Sequence, residues 1–166
     1  LAQKLQSIRM HGKGASRYDN IRIGLNSRLD TIQAAILQVK LQAFIDYELE
    51  QVNRIASLYT EKLKDIVKTP IVPAGYYSSW AQYTVQLENR KQRDTLQQKL
   101  KEQGIPTMVY YPKPLHQQIA FEDIECNANN ISIAEDICDK VLSLPMHPYL
   151  EEKSVAKICE AIKRGL

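Results

Sequence analysis

The sequence predicts an α+β fold in which helices pack on a small sheet and a long helix precedes that sheet. Apolar residues recur at intervals of three and four across the first 65 residues, a spacing typical of amphipathic helices. From residue 66 onward, β-branched and alternating segments are interleaved with helical periods in the order βαβ-loop-αβα. This order indicates one sheet with helices on a face.

Composition places the chain among ordinary globular proteins. It has 166 residues, of which 44% are hydrophobic and 25% are charged. The net charge is +3, and the interleaving of acidic and basic residues gives no sign of a nucleic-acid partner. No apolar run approaches the roughly 20 residues that span a bilayer, and no leader with an apolar centre is visible. We therefore expect a cytoplasmic protein with no membrane partner.

Three cysteines, Cys126, Cys138 and Cys159, are spaced too widely for a zinc site, and their odd number argues against a disulfide framework. Cys138 and Cys159 fall on the apolar faces of predicted helices. We expect buried structural thiols in a reducing compartment, and we expect no metal site.

The first 65 residues read as helices and one loop. A short helix over residues 2–10, with Leu5 and Ile8 inward, is followed by a polar, glycine-containing loop over 11–24. Ser27 and Asp30 have capping-box spacing, with Asp in place of the usual Glu, and predict a helix start. The stripe of that helix is Leu29, Ile32, Ile36 and Val39, and a second stripe follows at Ile45, Leu49, Val52, Ala56, Tyr59 and Leu63. We expect a break or bend around 41–43 and a long helix over roughly 43–65.

The remaining segments alternate between strand and helix. A half-buried strand has Ala81, Tyr83, Val85 and Leu87 on one face, and a helix from Asn89 to Gly104 has Leu96 and Leu100 inward. A second strand is predicted over 105–112, and then a loop to about Asn130. The last elements are a helix from Ser132 with Ile133, Ile137 and Val141 inward, a short strand within 143–150, and a helix over 151–164 with Val155, Ile158 and Ile162 inward.

The cluster Asn26-Ser27-Arg28 is the strongest local sign of a binding site. A helix N-terminus presents unpaired N–H groups and partial positive charge, so it favours a phosphate or carboxylate. Arg28 would add a charge-assisted contact. The alternative is that Asn26 or Ser27 only caps the helix and that Arg28 is solvated.

A second cluster runs from Tyr110 to His116 and contains Tyr111 and two prolines. Adjacent tyrosines at a strand end, followed by a rigid turn and a histidine, are typical of a loop that presents polar groups to a cleft. The alternative is one core tyrosine, one tyrosine with only its hydroxyl in water, and an exposed histidine. His11 and His147 are interpreted as structural residues.

Four segments carry a resemblance to a known family: IRMHGKG (8–14), YDNIRIGLNSRLDTIQAAIL (18–37), VYYPKPLHQQ (109–118) and LSLPMHPYL (142–150). In this order and at these intervals they resemble the C-terminal part of the DegT/DnrJ/StrS family of PLP-dependent nucleotide-sugar aminotransferases. The resemblance implies the aspartate-aminotransferase fold (fold type I). It implies that 1–42 is the tail of the large PLP-binding domain, 43–65 an interdomain helix and 66–166 the small α+β domain.

The resemblance also implies roles for particular residues. Asn26 matches the family asparagine that reaches across a homodimer interface to the phosphate of pyridoxal 5'-phosphate, and Arg28 matches an arginine near the nucleotide sugar. Tyr110, Tyr111 and His116 match the loop that approaches the nucleotide sugar across that interface. This chain has Tyr110 where many members have histidine.

The family's Schiff-base lysine precedes the R-x-H-G motif by tens of residues, and that motif is Arg9–Gly12 here. Lys4 and Lys13 are not assigned to this role, so no catalytic residue is predicted in the chain. The resemblance implies that the complete enzyme, a homodimer or higher oligomer, transfers an amino group, from glutamate as the expected donor, to a nucleotide-linked keto-sugar in aminosugar or polysaccharide biosynthesis.

The resemblance leaves two alternatives open. One is a PLP-dependent sugar dehydratase of the same family, and the other is a truncated, non-catalytic interaction domain. In either case the chain alone is expected to be inactive in transamination. We expect it to expose the apolar faces that would pack on the rest of such an enzyme, including Leu5, Ile8 and the Leu29–Val39 stripe, and therefore to associate.

Overall fold

The computed structural model describes residues 1–16, 18–124 and 131–166. Within these ranges the chain forms two compact units, Leu1–Asp46 (unit 1) and Tyr47–Leu166 (unit 2). Cys126 and the predicted end of the loop at Asn130 lie outside the described residues. The division into 1–42, 43–65 and 66–166 stays a prediction.

Unit 1 consists of two helices and the loop between them. Helix α1 is Ala2–Ile8 and helix α2 is Thr31–Ala43. A five-residue π-helical turn, Phe44–Glu48, follows α2 directly and leads into helix α3, Leu49–Leu63. The predicted interruption around 41–43 thus takes the form of a wider helical turn that begins at Phe44.

Two glycines set the shape of the loop in unit 1. Gly12 has a φ of 76°, and a Cβ at this position would lie 1.7 Å from the carbonyl oxygen of Arg22. A Cβ on Gly24 would lie 2.1 Å from the backbone nitrogen of Gly12. The two sides of the loop therefore approach each other at distances that only glycine permits. Backbone bridges join Met10 to Asn26 and Lys13 to Asn20, so the loop folds back on itself.

Unit 2 contains a two-stranded sheet and the helices packed on it. After α3 come strand β1 (Tyr83–Gln86), helix α4 (Arg90–Glu102), two single 3₁₀ turns (Leu115–Gln117 and Ile119–Phe121), helix α5 (Ser132–Lys140), strand β2 (Val141–Leu144) and helix α6 (Glu152–Gly165). The strands pair antiparallel, with Tyr83 opposite Leu144 and Gln86 opposite Val141. The fold is a small α+β sheet-and-helix arrangement, as the sequence predicts.

The core of unit 2 forms from the faces that the periodicity predicts. Its buried side chains include Ile55, Tyr59 and Leu63 of α3, Tyr83 and Val85 of β1, Leu96 and Leu100 of α4, Leu142 and Leu144 of β2, and Val155, Ile158 and Ile162 of α6. Cys159 is buried in this core and Cys138 is half-buried, and both are free thiols. The expectation of a buried thiol is therefore confirmed for Cys159.

The predicted strand over 105–112 is wrong. Only Met108 pairs with the sheet, because its N–H donates to the Ser143 carbonyl at 3.1 Å and its carbonyl accepts from the Ser143 N–H at 2.7 Å. Pro106 and Pro112 lack the N–H that a longer ladder requires on either side of this pair. The backbone of the segment therefore pairs with the sheet at one residue.

The predicted apolar stripe of α5 is also wrong. Val141 begins β2 and does not lie on the helix, Ile133 is 62% exposed, and α5 contains no buried residue in the part of the chain that the structure describes. Polar contacts hold this helix, since Arg93 donates to the Cys138 carbonyl at 3.1 Å and Arg90 pairs with Asp139.

Helix α2 exposes its apolar side chains, as expected for the isolated chain. Ile32 is 73% and Val39 is 72% exposed, and Leu5 of α1 is also exposed while Ile8 is half-buried. Two further exposed apolar side chains of α2, Leu37 and Leu41, lie roughly opposite the predicted stripe at 100° per residue. Ile45, which the sequence places in the second stripe, lies in the π-helical turn and is 64% exposed, so its predicted place on a buried face is wrong. A helix that is apolar on two sides is typical of the interior of a larger protein.

In the ranges that the structure describes, no helix is both long and apolar enough to cross a bilayer.

Candidate functional site

The capping prediction at the start of α2 is wrong in its choice of residue. Asp30, rather than Ser27, is the N-cap, and its carboxylate accepts from the backbone N–H of Ile32 at 2.8 Å and of Gln33 at 3.3 Å. Ser27 lies in the preceding loop, where its N–H donates to the Arg9 carbonyl at 3.0 Å. The backbone bridge between Met10 and Asn26 holds this loop away from helical geometry.

This cap changes where an anion can bind. The carboxylate of Asp30 occupies the N–H groups of Ile32 and Gln33, and it would repel a second negative charge there. The first turn of α2 is therefore less favourable to an anion than the sequence suggests. The loop side chains of Asn26 and Arg28 stay the predicted anion contacts.

The side chains of Asn26 and Arg28 are exposed, and neither forms a hydrogen bond or ion pair with any residue in the described ranges. The backbone bridge to Met10 fixes the Asn26 main chain, so its amide projects from a defined position. Arg28 lines a pocket of about 490 Å³ together with His11, Lys13, Tyr18, Asn20 and Met10. The structure thus brings Arg28 next to two residues, His11 and Lys13, that sequence reasoning did not assign to a site.

The second predicted cluster lies in unit 2, so the two predicted clusters belong to different units. Tyr110 and Tyr111 are 40% and 70% exposed, and their rings meet edge to face with centroids 6.0 Å apart. The alternative of a tyrosine in the core is therefore excluded for both. Their exposed hydroxyls are able to donate to or accept from a polar ligand.

His116 is oriented by a carboxylate. Its Nε2 lies 3.0 Å from an oxygen of Glu135 on α5, which also accepts a bond of 2.8 Å from the amide of Gln117. The hydrogen bond to His116 holds the pKa of the Glu135 carboxyl below its usual value, and the bond from Gln117 acts in the same direction. The imidazole is therefore held against α5 by Glu135. His116 is not the simply exposed histidine of the alternative interpretation.

The other two histidines, His11 and His147, form main-chain hydrogen bonds in loops. His11 has a φ of 62°, and its N–H donates to the Leu25 carbonyl at 2.9 Å, so its backbone helps to close the loop of unit 1. His147 is exposed, and its carbonyl accepts from Leu150 at 3.2 Å.

A polar cluster that sequence reasoning missed lies at the π-helical turn. Glu48 is buried, and its carboxylate accepts a hydrogen bond from the hydroxyl of Tyr149, which lies 3.2 Å from the hydroxyl of Tyr47. The bond to Glu48 raises the pKa of Tyr149 above its ordinary value. The only signal in the sequence was a glutamate between the apolar residues Ile45 and Leu49, which is too common a pattern to indicate burial.

The resemblance implies a PLP site, and one exposed side chain has chemistry that suits it. Asn26 offers an amide donor on a fixed backbone, which suits one phosphate oxygen. None of the lysines is buried, including Lys4 and Lys13. Burial is one of the ways in which proteins lower a lysine pKa for Schiff-base chemistry. The amide of Asn26 is therefore suited to a phosphate contact, and the expectation that the chain holds no Schiff-base lysine stays a prediction.

The profile of the DegT/DnrJ/EryC1/StrS aminotransferase family matches residues 1–163. This chain belongs to that family. It is 40% identical over 163 residues to a UDP-2-acetamido-2-deoxy-3-oxo-D-glucuronate aminotransferase of Pseudomonas aeruginosa, with 98% of this chain and 43% of that protein covered. It is 36% identical to a UDP-N-acetyl-3-dehydro-alpha-D-glucosamine 3-aminotransferase of Acidithiobacillus ferrooxidans, with 100% and 43% covered.

A solved structure of a DegT/DnrJ/EryC1/StrS aminotransferase from Brucella abortus superposes on the chain with a TM-score of 0.90 and 48% identity. The match covers 98% of this chain and 43% of that structure. The chain therefore has the fold of the C-terminal portion of a family aminotransferase, as the resemblance implied. It spans less than half the length of the relatives that it matches.

Proposed function

We propose that the chain is the C-terminal part of a PLP-dependent aminotransferase that moves an amino group, from glutamate as donor, to a nucleotide-linked keto-sugar. The observation that carries the proposal is the match over residues 1–163 to a family whose named relatives act on UDP-linked oxo-sugars. PLP, when bound, supplies the carbonyl that exchanges amino groups and the ring that withdraws electrons. The chain itself supplies binding and orientation.

Asn26 is proposed to contact the cofactor phosphate of a neighbouring subunit. Its amide is exposed and without a described partner, while its backbone is fixed by the bridge to Met10. Replacing Asn26 by Ala would remove one hydrogen bond to a charged group, about 1.5–3 kcal/mol. This loss corresponds to roughly a tenfold or greater weakening of PLP binding.

The loop of unit 2 is proposed to meet the sugar nucleotide. Tyr110 and Tyr111 present exposed hydroxyls to the ligand, and the Glu135 carboxylate fixes the ring of His116. An imidazole held in one orientation presents its other ring nitrogen in a constant direction. This arrangement suits recognition of a sugar hydroxyl or a phosphate oxygen.

The test uses the polypeptide encoded by the complete reading frame that contains this chain. We expect glutamate-dependent conversion of a UDP-linked 3-oxo-sugar into the corresponding amino sugar, followed by mass spectrometry. Asn26→Ala should weaken PLP retention, whereas Gln38→Ala, an exposed change on α2, should not. Conversion of the sugar with loss of a hydroxyl would indicate the dehydratase alternative. Absence of any conversion across a panel of keto-sugar nucleotides would contradict the proposal.

A further inference from the structure

A pocket of unit 2 lies between α3 and the loop over residues 69–80, and none of its lining residues belongs to the two predicted clusters. Its volume of about 570 Å³ falls within the range of small-molecule sites. Helix α3 and its C-cap contribute mostly polar side chains, and the loop contributes mostly apolar and aromatic ones. Among the described residues that line it, only Glu61 and Lys64 are charged. The pocket therefore favours a ligand of zero net charge.

The two charges of the pocket are exposed and are not paired. Neither Glu61 nor Lys64 forms a side-chain hydrogen bond or ion pair with any residue in the described ranges. The same spacing on α6 does give a pair, since Glu160 and Lys163 lie 3.3 Å apart. One charge of the pocket is therefore available to a cation of a ligand, and the other to an anion.

Three aromatic side chains line the same pocket. Trp80 is half-buried, whereas Tyr76 and Tyr77 are 75% and 68% exposed. Neither tyrosine ring contacts another ring in the part of the chain that the structure describes. The face of an aromatic ring attracts a cation, tryptophan most strongly, and aromatic rings of this kind recognise quaternary ammonium groups. The rings and the carboxylate of Glu61 thus favour the same end of a ligand.

The ring of Trp80 is held in place by hydrogen bonds. Its indole N–H donates to the side-chain oxygen of Asn53 at 2.9 Å, and its backbone N–H donates to the Ser78 hydroxyl at 3.2 Å. The amide of Asn53 also donates to the Ser78 carbonyl at 3.0 Å. Trp80 has a φ of 47°, which is a strained conformation for so large a residue. Strain that the surrounding structure maintains in this way is concentrated at ligand sites.

The other polar side chains that α3 contributes are already engaged. The hydroxyl of Ser57 donates to the Asn53 carbonyl at 2.9 Å. The hydroxyl of Thr60 donates to the Ala56 carbonyl at 2.9 Å and lies 2.7 Å from the hydroxyl of Tyr83. Few acceptors therefore remain for a primary ammonium, whose three N–H groups lose water on binding. A quaternary ammonium has no N–H to satisfy, so the pocket suits it better.

We propose that this pocket binds a small zwitterion that carries a quaternary ammonium group and a carboxylate, which is the chemistry of a betaine. The ammonium group lies against the aromatic rings beside the carboxylate of Glu61, and the carboxylate of the ligand pairs with Lys64. This binding site belongs to unit 2 and does not depend on the proposed aminotransferase activity.

The experiment follows ligand binding to the full chain by the fluorescence of Trp80, which is the only tryptophan in the sequence and lines the pocket. The probes are glycine betaine and tert-butylacetate, at constant ionic strength. Tert-butylacetate has the shape and the carboxylate of betaine, with carbon in place of the charged nitrogen. Betaine should give a saturable change at a concentration about fivefold lower than tert-butylacetate, because only betaine has the cation. Equal binding of the two probes, or no saturable change with betaine, would overturn the inference.

Substitutions test the three parts of the site separately. Tyr77→Leu removes a ring and Glu61→Gln a counter-charge, and each should raise the half-saturation concentration of betaine about two- to fivefold. Lys64→Gln should do the same for betaine and should leave the binding of choline, which has no carboxylate, unchanged. The matched controls are Glu50→Gln and Lys62→Gln, exposed positions of α3 that do not line the pocket, and their effect should be less than about 1.5-fold. Equal losses in Glu61→Gln and Glu50→Gln would show a general charge effect and would contradict the site.

Two further measurements exclude trivial causes. Circular dichroism shows whether each variant keeps its fold, and Tyr77→Phe, which keeps the ring, should retain the affinity of the unmodified chain. Isothermal titration calorimetry of the polypeptide encoded by the complete reading frame should give the same affinity for betaine. Loss of binding in that polypeptide would show that its remaining part covers the pocket and would overturn the inference. Retained binding would support the site even if that polypeptide aminated no keto-sugar.

Discussion

The buried hydrogen bond of the Tyr59 hydroxyl is expected to stabilise the core of unit 2. Tyr59 is fully buried, and its hydroxyl donates to the Pro145 carbonyl at 2.9 Å, which joins α3 to the end of β2. Tyr59→Phe removes this donor and keeps the ring that stacks on Tyr83 with centroids 5.0 Å apart. The variant loses one hydrogen bond, and the carbonyl of Pro145 loses that donor. The expected loss in the free energy of unfolding is therefore about 1–3 kcal/mol.

Urea unfolding followed by tryptophan fluorescence measures this loss. Trp80 is the only tryptophan in the sequence and lies 5.5 Å from the ring of Tyr83, so its emission reports on this core. With a slope of about 2 kcal/mol per molar urea, the midpoint should fall by roughly 0.5–1.5 M. The matched control is Tyr77→Phe, which removes the hydroxyl of a 68% exposed side chain and should shift the midpoint by less than about 0.3 M. Equal midpoints for Tyr59→Phe and Tyr77→Phe would refute the assignment of the Tyr59 bond as a stabilising contact.

Three further predictions concern pH, the cofactor and association. Burial raises the pKa of Cys159 to about 11 and of Tyr83 to about 12, so their neutral forms are favoured in the folded state. The stability that these two groups contribute to unit 2 should be fully present below pH 9 and lost between pH 9 and 12, as measured by thermal melts, and a Cys159→Ala variant should be less sensitive between pH 9 and 11. The purified chain incubated with PLP and borohydride should give no single, stoichiometric pyridoxyl-lysine adduct by peptide mass spectrometry, since no lysine is buried; a dominant adduct at Lys4 or Lys13 would contradict this. Light scattering at micromolar concentration should show an oligomer because α2 exposes apolar side chains on two sides, and Ile32→Ser with Ile36→Ser should reduce the average mass, whereas a monodisperse monomer would count against the exposed faces as association surfaces.

The elements that the sequence predicts well are those whose apolar stripe meets a core within the chain. Helices α3, α4 and α6 and strand β1 bury the residues that periodicity selects, such as Leu96, Tyr83 and Ile162. The apolar stripe in each of these elements decides both its type and its buried face. Helix α2 is also predicted correctly as a helix, but the side chains of its apolar stripe are exposed.

The sequence predictions fail where the local structure depends on a residue that is distant along the chain. Ser27 and Asp30 are both acceptable caps by type, and the bridge of Asn26 to Met10 leaves Asp30 to act. The orientation of His116 depends on Glu135, 19 residues away, and the burial of Glu48 depends on Tyr149, 101 residues away. Patterns within a short window contain no information about such pairs.

The candidate site likewise contains residues that the sequence indicates and residues that only the fold brings together. The sequence indicates Arg28 as a ligand for an anion, and the structure adds Lys13, which is 15 positions away and reaches the same pocket because the loop folds back. The binding roles of Asn26, Tyr110, Tyr111 and His116 are implied by the family resemblance and stay predictions. A short motif identifies residues that resemble known ligands, whereas the fold identifies those that share a pocket with them.

The pairing of β1 with β2 has a consequence for how unit 2 acquires its structure. The hydroxyls of Thr84 and Ser143 meet across the sheet from positions 59 residues apart, and Tyr59 reaches Pro145 across 86 residues. These contacts form only after large loops have closed, and closing a loop costs conformational entropy before apolar burial stabilises the structure. Folding is therefore slow. On a ribosome, α3 and β1 would emerge well before α6 and would wait with their apolar faces unprotected. Unit 2 is therefore expected to complete its fold only after α6 has emerged, and its apolar faces would be open to chaperones until then.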